Sequence, residues 1–222
     1  MVVVFCLVAA CAATAENSSN YEIWVSGAGG FNGYSHSDVN DELKLLTDEL
    51  GIASDEVNSG FAVQGELGLL YKSSFSFGVG MKRFHGSAQI SDFSGSITYT
   101  LPANATYAVV GYTFPSQSKF SYGAAVAFGT ISSKGKLVLA VTGLGSGTGY
   151  LDGSGTFIEG RLTTGYRLTP ALYLNPVLGY RLAEIDEIKI DGITQKKLDD
   201  SNWTLDYSGF TAQIGFTLYL GR

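Results

Sequence analysis

Phe210-Thr211-Ala212-Gln213-Ile214-Gly215-Phe216-Thr217-Leu218-Tyr219-Leu220 decides the fold class of this 222-residue chain. Phe210, Ala212, Ile214, Phe216, Leu218 and Leu220 share one parity, and Thr211, Gln213, Gly215, Thr217 and Tyr219 the other. Successive side chains of a strand point to opposite faces, so this period of two marks a strand with one apolar and one polar face.

Working outward, the same pattern recurs. Phe61, Val63, Leu67, Leu69 and Tyr71 alternate with Gln64, Glu66 and Gly68; Phe75, Phe77, Val79 and Met81 alternate with Ser76, Gly78, Gly80 and Lys82. Strands of the same kind run from Phe120 to Gly129, Ile158 to Leu168 and Leu172 to Leu182, and a glycine-rich one from about Tyr21 to Tyr34. An eighth ends in Ala108, Val110, Tyr112 and Phe114. Upstream of it Ile97, Tyr99 and Leu101 have the opposite parity, so a bulge or loop is expected at Pro102. The connections alternate between short (72–74, 115–118, 169–171) and long (34–59, 85–97, 132–153, 185–204). Within the first long one, Val39, Leu43, Leu46 and Leu50 fall at helical spacing, predicting a short amphipathic helix over Asp38–Leu50 with Ser37 or Asp38 as cap. It reads as a lid on the rim, with a plug or lipid-touching helix as the sharper alternative.

Alternation fits both a soluble barrel with its apolar face inward and a membrane barrel with it outward. Three features favour outward. The polar face is rich in Gly, Ala, Ser and Thr. Its charges, Glu66, Lys82, Glu159, Arg161 and Arg181, are of mixed sign and fall mid-strand, as a paired interior network would, because an unpaired buried charge is costly. Aromatics of the apolar face (Tyr71, Phe75, Tyr112, Phe114, Phe120, Tyr122, Tyr166) gather at strand ends, as an interfacial girdle does. The expectation is therefore an all-β, eight-stranded antiparallel transmembrane β-barrel with a short helix in the first long loop. In so narrow a ring the charges brace the interior in preference to gating a pore.

The apolar run Val2–Ala13, followed by Ala13-Thr14-Ala15, reads as a secretory signal peptide over 1–15, leaving the barrel as 16–222. Both cysteines, Cys6 and Cys11, fall in the leader. Val8-Ala9-Ala10-Cys11 also resembles a lipoprotein box, which makes lipidation of Cys11 the alternative. A net charge of −6 without a basic block disfavours a nucleic-acid partner.

Gln213, Gly215, Leu218 and Leu220 stand where the β-signal of outer-membrane proteins has its polar, glycine and two hydrophobic positions. The chain from about residue 20 onward resembles the small outer-membrane β-barrel domain proteins of the OmpX and OmpW kind, with Asp38-Val39-Asn40-Asp41 and Asp206-Tyr207-Ser208-Gly209 similar to a subgroup of these. The departure is Gly221-Arg222 at the end, where many members finish on Phe or Trp. The resemblance implies a location in the bacterial outer membrane, insertion by the barrel-assembly machinery, and lipid and lipopolysaccharide as surroundings. It implies no activity; the OmpW side of it suggests a conduit for small hydrophobic molecules as the alternative role.

No catalytic site, cofactor or metal is expected. His85-Gly86-Ser87 resembles the His-x-Ser arrangement of outer-membrane lipid A deacylases, but a triad needs an acid to orient the histidine, and Asp92 is the only one before Asp152. Glu184, Asp186, Glu187 and Asp191, with Asp199 and Asp200 further on, read as a solvated acidic loop; the sharper reading is a Ca²⁺ or Mg²⁺ bridge to lipopolysaccharide phosphates. The expected role is non-enzymatic, structural or surface-interacting.

Overall fold

A computed structural model describes residues 20–50, 58–91, 95–116, 118–141, 145–196 and 202–220; the leader read at 1–15, Asp92, Asp199, Asp200 and the terminal Gly221-Arg222 lie outside them. In chain order these residues form β1 (Tyr21–Gly33), α1 (Ser37–Leu50), β2 (Ser59–Tyr71), β3 (Phe75–His85), β4 (Ser87–Ser91), β5 (Gly95–Thr100) and β6 (Ala103–Phe114). There follow β7 (Phe120–Val141), β8 (Gly145–Arg167), β9 (Leu172–Ile185), β10 (Lys189–Ile190), β11 (Ile193–Thr194), β12 (Leu205–Asp206) and β13 (Gly209–Leu220).

All pairings are antiparallel. β1, β2, β3, β6, β7, β8, β9 and β13 form a ring of eight, closed by β13 against β1, with Ile23 opposite Leu220 through Asn32 opposite Thr211. The strand that decided the fold class is thus the closing seam. Closure removes the unpaired edges an open sheet would present.

Parity sets what faces where. Phe210 is 74% exposed and Leu162 68%, and Met81, Leu178, Ile214 and Val126 share that outer surface. Gln213, Thr211, Lys82, Glu159, Arg161 and Arg181 are buried inside. At the short-turn end Tyr21 meets Tyr71, Phe75 meets Tyr112, and Phe120 meets Tyr166, with ring centroids 4.9, 4.9 and 5.1 Å apart. Tyr180 and Phe210, 5.0 Å apart, mark the other end of the apolar belt. On β7 the belt runs from Phe120 to Phe128, a span matching the roughly 9–11 residues of a tilted membrane crossing.

Glycines on the inner wall make room for rings. A Cβ at Gly68 or Gly78, which face each other across β2 and β3, would meet the Trp24 indole at 2.7 or 2.9 Å. One at Gly80 would meet Tyr107 at 2.6 Å. The short β2–β3 connection places Lys72 and Ser73 at φ 48° and 56°, a left-handed pair in a tight reversal.

Two expected loops differ. Residues 132–153 are strand for most of their length, because β7 and β8 continue in register from Ser132 opposite Ser154 to Val141 opposite Gly145. Hydropathy hides this: past Phe128 the outward positions become Thr130, Ser132, Lys134 and Lys136, so the apolar alternation ends while the ladder continues. Residues 85–97 likewise hold β4, which pairs with β5, and β5 pairs with the distal half of β7. At Pro102 the chain breaks between β5 and β6 in place of bulging, which explains the parity change seen there. With β10 and β11 added to β8, these strands form a blade beyond the ring.

The helix begins at Ser37, one residue before the expectation. Val39 is fully buried, and Asp38 accepts hydrogen bonds from the Thr204 backbone and hydroxyl, both 2.9 Å, tying α1 to the last long connection. The side chains of Leu43, Leu46 and Leu50 are outside the described ones.

Candidate functional site

Four of the five mid-strand charges meet inside the ring. Lys82 Nζ on β3 lies 2.8 and 3.0 Å from the two Glu159 carboxylate oxygens on β8, and 3.4 Å from the Thr211 hydroxyl on β13. Arg161 donates from Nε to Glu159 at 2.9 Å and from Nη1 to Glu66 on β2. The Tyr107 hydroxyl also donates to Glu66, at 2.8 Å, and the Arg161 guanidinium lies 5.0 Å from the Tyr107 ring centre. Strands from opposite walls are thereby cross-linked through charge-assisted bonds in a buried setting, where such bonds are strongest.

Arg181 stands apart. It makes no ion pair among the described residues; it donates to the Tyr207 carbonyl (2.6 Å), Asn32 Oδ1 (2.8 Å) and the Gly33 carbonyl (3.0 Å). Its guanidinium stacks 4.5 Å from the Phe84 ring centre. Three backbone and amide acceptors at the strand ends satisfy its fork, which is why it binds the rim and not the carboxylates.

Above Arg181 the interior is closed by Tyr34, His36, Phe84, Phe157 and Tyr207, all buried, with Leu101, Ile185, Ile188 and Leu205 around them. Tyr207 donates to the Leu101 carbonyl at 3.1 Å. His36 is wedged edge-on against Tyr207, centroids 4.5 Å apart, and neither of its ring nitrogens has a partner. Burial first, and the nearby Arg181 charge second, push its pKa down to about 3, so it is neutral.

The β-signal positions all sit on β13. Gln213 faces inward, Leu218 and Leu220 face outward, and Gly215 packs so closely on β1 that a Cβ would meet Gly27 O at 2.4 Å. His85 lies opposite Phe61 at the end of β3, and its carbonyl accepts from Tyr34. Two acids of the last long connection have partners in the fold. Glu187 pairs with Lys189 at 3.2 Å and accepts from Thr194, contacts that hold its carboxyl below the usual range, and Asp191 accepts from the Tyr150 backbone. No group of three His, Cys, Asp or Glu among the described residues could hold a metal.

Sequence reasoning missed Tyr107, Asn32 and Tyr207. The parity of β6 already turned Tyr107 inward, opposite to Ala108 and Val110. Nothing in the sequence marked Asn32 or the Tyr207 carbonyl as partners of Arg181.

No protein-family model and no curated protein sequence matches the chain. Among solved structures it is similar to OprG of Pseudomonas aeruginosa (12% identity, 91% of this chain and 97% of that one, TM-score 0.49). It is similar to Neisserial surface protein A (14%, 90% and 97%, TM-score 0.43). It is also similar to the outer membrane protease OmpT of Escherichia coli (10%, 90% and 96%, TM-score 0.49).

Proposed function

We propose that this chain is an integral protein of the bacterial outer membrane, an eight-stranded transmembrane β-barrel whose interior is braced shut and whose role is structural or surface-interacting. One observation supports this above the others: the outside of the ring is an apolar belt while its inside holds Lys82, Glu159, Arg161 and Glu66 in one buried network. Exposed apolar surface of that extent is unfavourable in water and favourable against lipid. A soluble binder would invert it.

In this reading residues 1–15 are the export signal, the barrel-assembly machinery reads Gln213, Gly215, Leu218 and Leu220, and lipid and lipopolysaccharide surround the belt. The blade carries the contacts with the outside. Its outward face presents Ser132, Lys134, Lys136, Asp152 and Ser154, with Tyr150 exposed beside Lys136. The buried network and the aromatic cap above it fill the interior on two levels, which supports bracing over the conduit alternative.

Cell fractionation tests the proposal. The protein should stay with the outer membrane through alkaline and urea extraction, dissolve only in detergent, and migrate faster on a gel unheated than boiled. Recovery in the soluble fraction without detergent would reject it.

A further inference from the structure

The outward face of the ring continues past its apolar belt. On β3 the first outward side chain beyond Met81 is Arg83, and on β7 the outward positions beyond Phe128 are Thr130, Ser132, Lys134 and Lys136. Register joins the two strands, with Arg83 opposite Asn104 on β6 and Asn104 opposite Ser132. On the other side Lys134 stands opposite Asp152, and Asp152 opposite Lys189 on β10. We propose that this face binds the phosphorylated sugar headgroup of lipopolysaccharide, an inference that rests on the membrane reading above.

Charge carries the argument. The chain is acidic, with 14 Lys and Arg against 20 Asp and Glu. Arg83, Lys134, Lys136 and Lys189 nevertheless share this face, with Asp152 among them and Glu187 paired to Lys189. Among the described residues Arg83, Lys134 and Lys136 have no ion pair, whereas Lys82 and Arg161 inside the ring are both paired. Exposed cations without a carboxylate partner remain available to an anion, and phosphate accepts both the arginine fork and the lysine point charge.

Spacing selects a headgroup with more than one phosphate. Strands lie about 4.8 Å apart and residues rise about 3.3 Å, so the Cα atoms of Arg83, Lys136 and Lys189 fall about 7–12 Å from that of Lys134. Long side chains from such positions can converge on two phosphates of one headgroup. A phospholipid with a single phosphate would leave most of them without an anion. Asn104 and Ser132 lie between the cations as donors for sugar oxygens, and Tyr150, 63% exposed, adds a hydroxyl and a flat ring beside Lys136.

Position supplies the source. Long connections of outer-membrane barrels lie on the extracellular side, so this end of the belt meets the outer leaflet. Arg83 stands about 7 Å along the strand from Met81, and the headgroup layer adds roughly 5–8 Å to each side of the hydrocarbon core. The first cation therefore falls at the level of lipid phosphates, on strands that are continuous with the belt.

The test uses the full chain refolded in zwitterionic micelles, with lipid A carrying two phosphates as the probe and native mass spectrometry as the readout. Arg83→Gln, Lys134→Gln and Lys136→Gln together should lower retained lipid A at least about fivefold. Lys72→Gln, Lys119→Gln and Arg167→Gln, which remove equal charge near the short-turn end, should change it less than about twofold. Dephosphorylated lipid A should be retained equally by all three proteins. Lipid A retention unchanged by the first triple variant, equal losses in both, or phosphatidylglycerol held as tightly as lipid A would each overturn the proposal. If the first triple variant fails to fold, Lys134→Gln and Lys136→Gln alone should each lower retention at least about twofold, and no loss in either would overturn it as well. Heat-dependent gel mobility in the same micelles reports the barrel itself, so failure of the membrane reading is distinguishable from failure of this one.

Discussion

Lys82 and Glu159 face each other across the ring, on strands separated by β6 and β7, with Nζ 2.8 Å from the nearer carboxylate oxygen and both side chains fully buried. A bond between non-adjacent walls cannot be replaced by the strand ladder. It resists flattening of the ring in a way no cross-strand pair does.

Removing one end should therefore cost more than removing both. Lys82→Met leaves Glu159 buried with only Arg161, and should lower unfolding stability by about 3–5 kcal/mol. The double variant Lys82→Met, Glu159→Leu should recover a large part of that loss, as a double-mutant cycle in urea would show. Additive losses would mean that the two residues act independently.

The glycines give a second contrast. Gly80→Ala drives a methyl into Tyr107 and the Glu66 stem and should destabilise by about 1–3 kcal/mol. Gly160→Ala points outward with nothing within 4 Å and should change stability by less than about 0.5 kcal/mol. Equal effects would contradict the assignment of inner and outer faces.

Acid should loosen the cap. Unfolded His36 takes up a proton near pH 6.5, whereas the folded residue does so near pH 3, so between those values the unfolded state binds more protons. The contribution is complete above about pH 6.5 and is lost as pH falls towards 3. Between pH 7 and pH 4.5 the unmodified protein should lose on the order of 2 kcal/mol from this source. His36→Phe should remove that part of the slope, measured as urea midpoints at the two pH values.

Arg181 should tolerate no conservative change. Lysine is a point charge and cannot reach Asn32, Gly33 and Tyr207 together, so Arg181→Lys should destabilise nearly as much as Arg181→Met. Full retention of stability in Arg181→Lys would show that charge alone matters there.

Much of this was legible in the sequence because parity is a physical signal. The alternation of Phe210 to Leu220 also fixes which face of β13 meets the interior, and the same rule turned Glu66, Lys82, Glu159, Arg161 and Arg181 inward. What parity does not carry is pairing across the interior. Arg181 shares its inward parity with Arg161 but sits higher, where carbonyls and Asn32 replace carboxylates. The blade was hidden for another reason: Lys134, Gly135 and Lys136 look like a loop by hydropathy, yet their backbone continues the ladder beyond the apolar belt. His36 falls in the long connection 34–59, where nothing in the sequence marks it for burial, yet the fold packs it against Tyr207.

The braced, closed interior is tested most directly by conductance of the refolded protein in planar bilayers, with heat-dependent gel mobility confirming its fold. A correctly folded protein should pass no discrete ionic steps, and should stay silent when Lys134 or Lys136 on the blade is replaced. Steps whose size changes on substitution of Glu66 or Arg161 would contradict bracing and make the network the gate of a narrow channel.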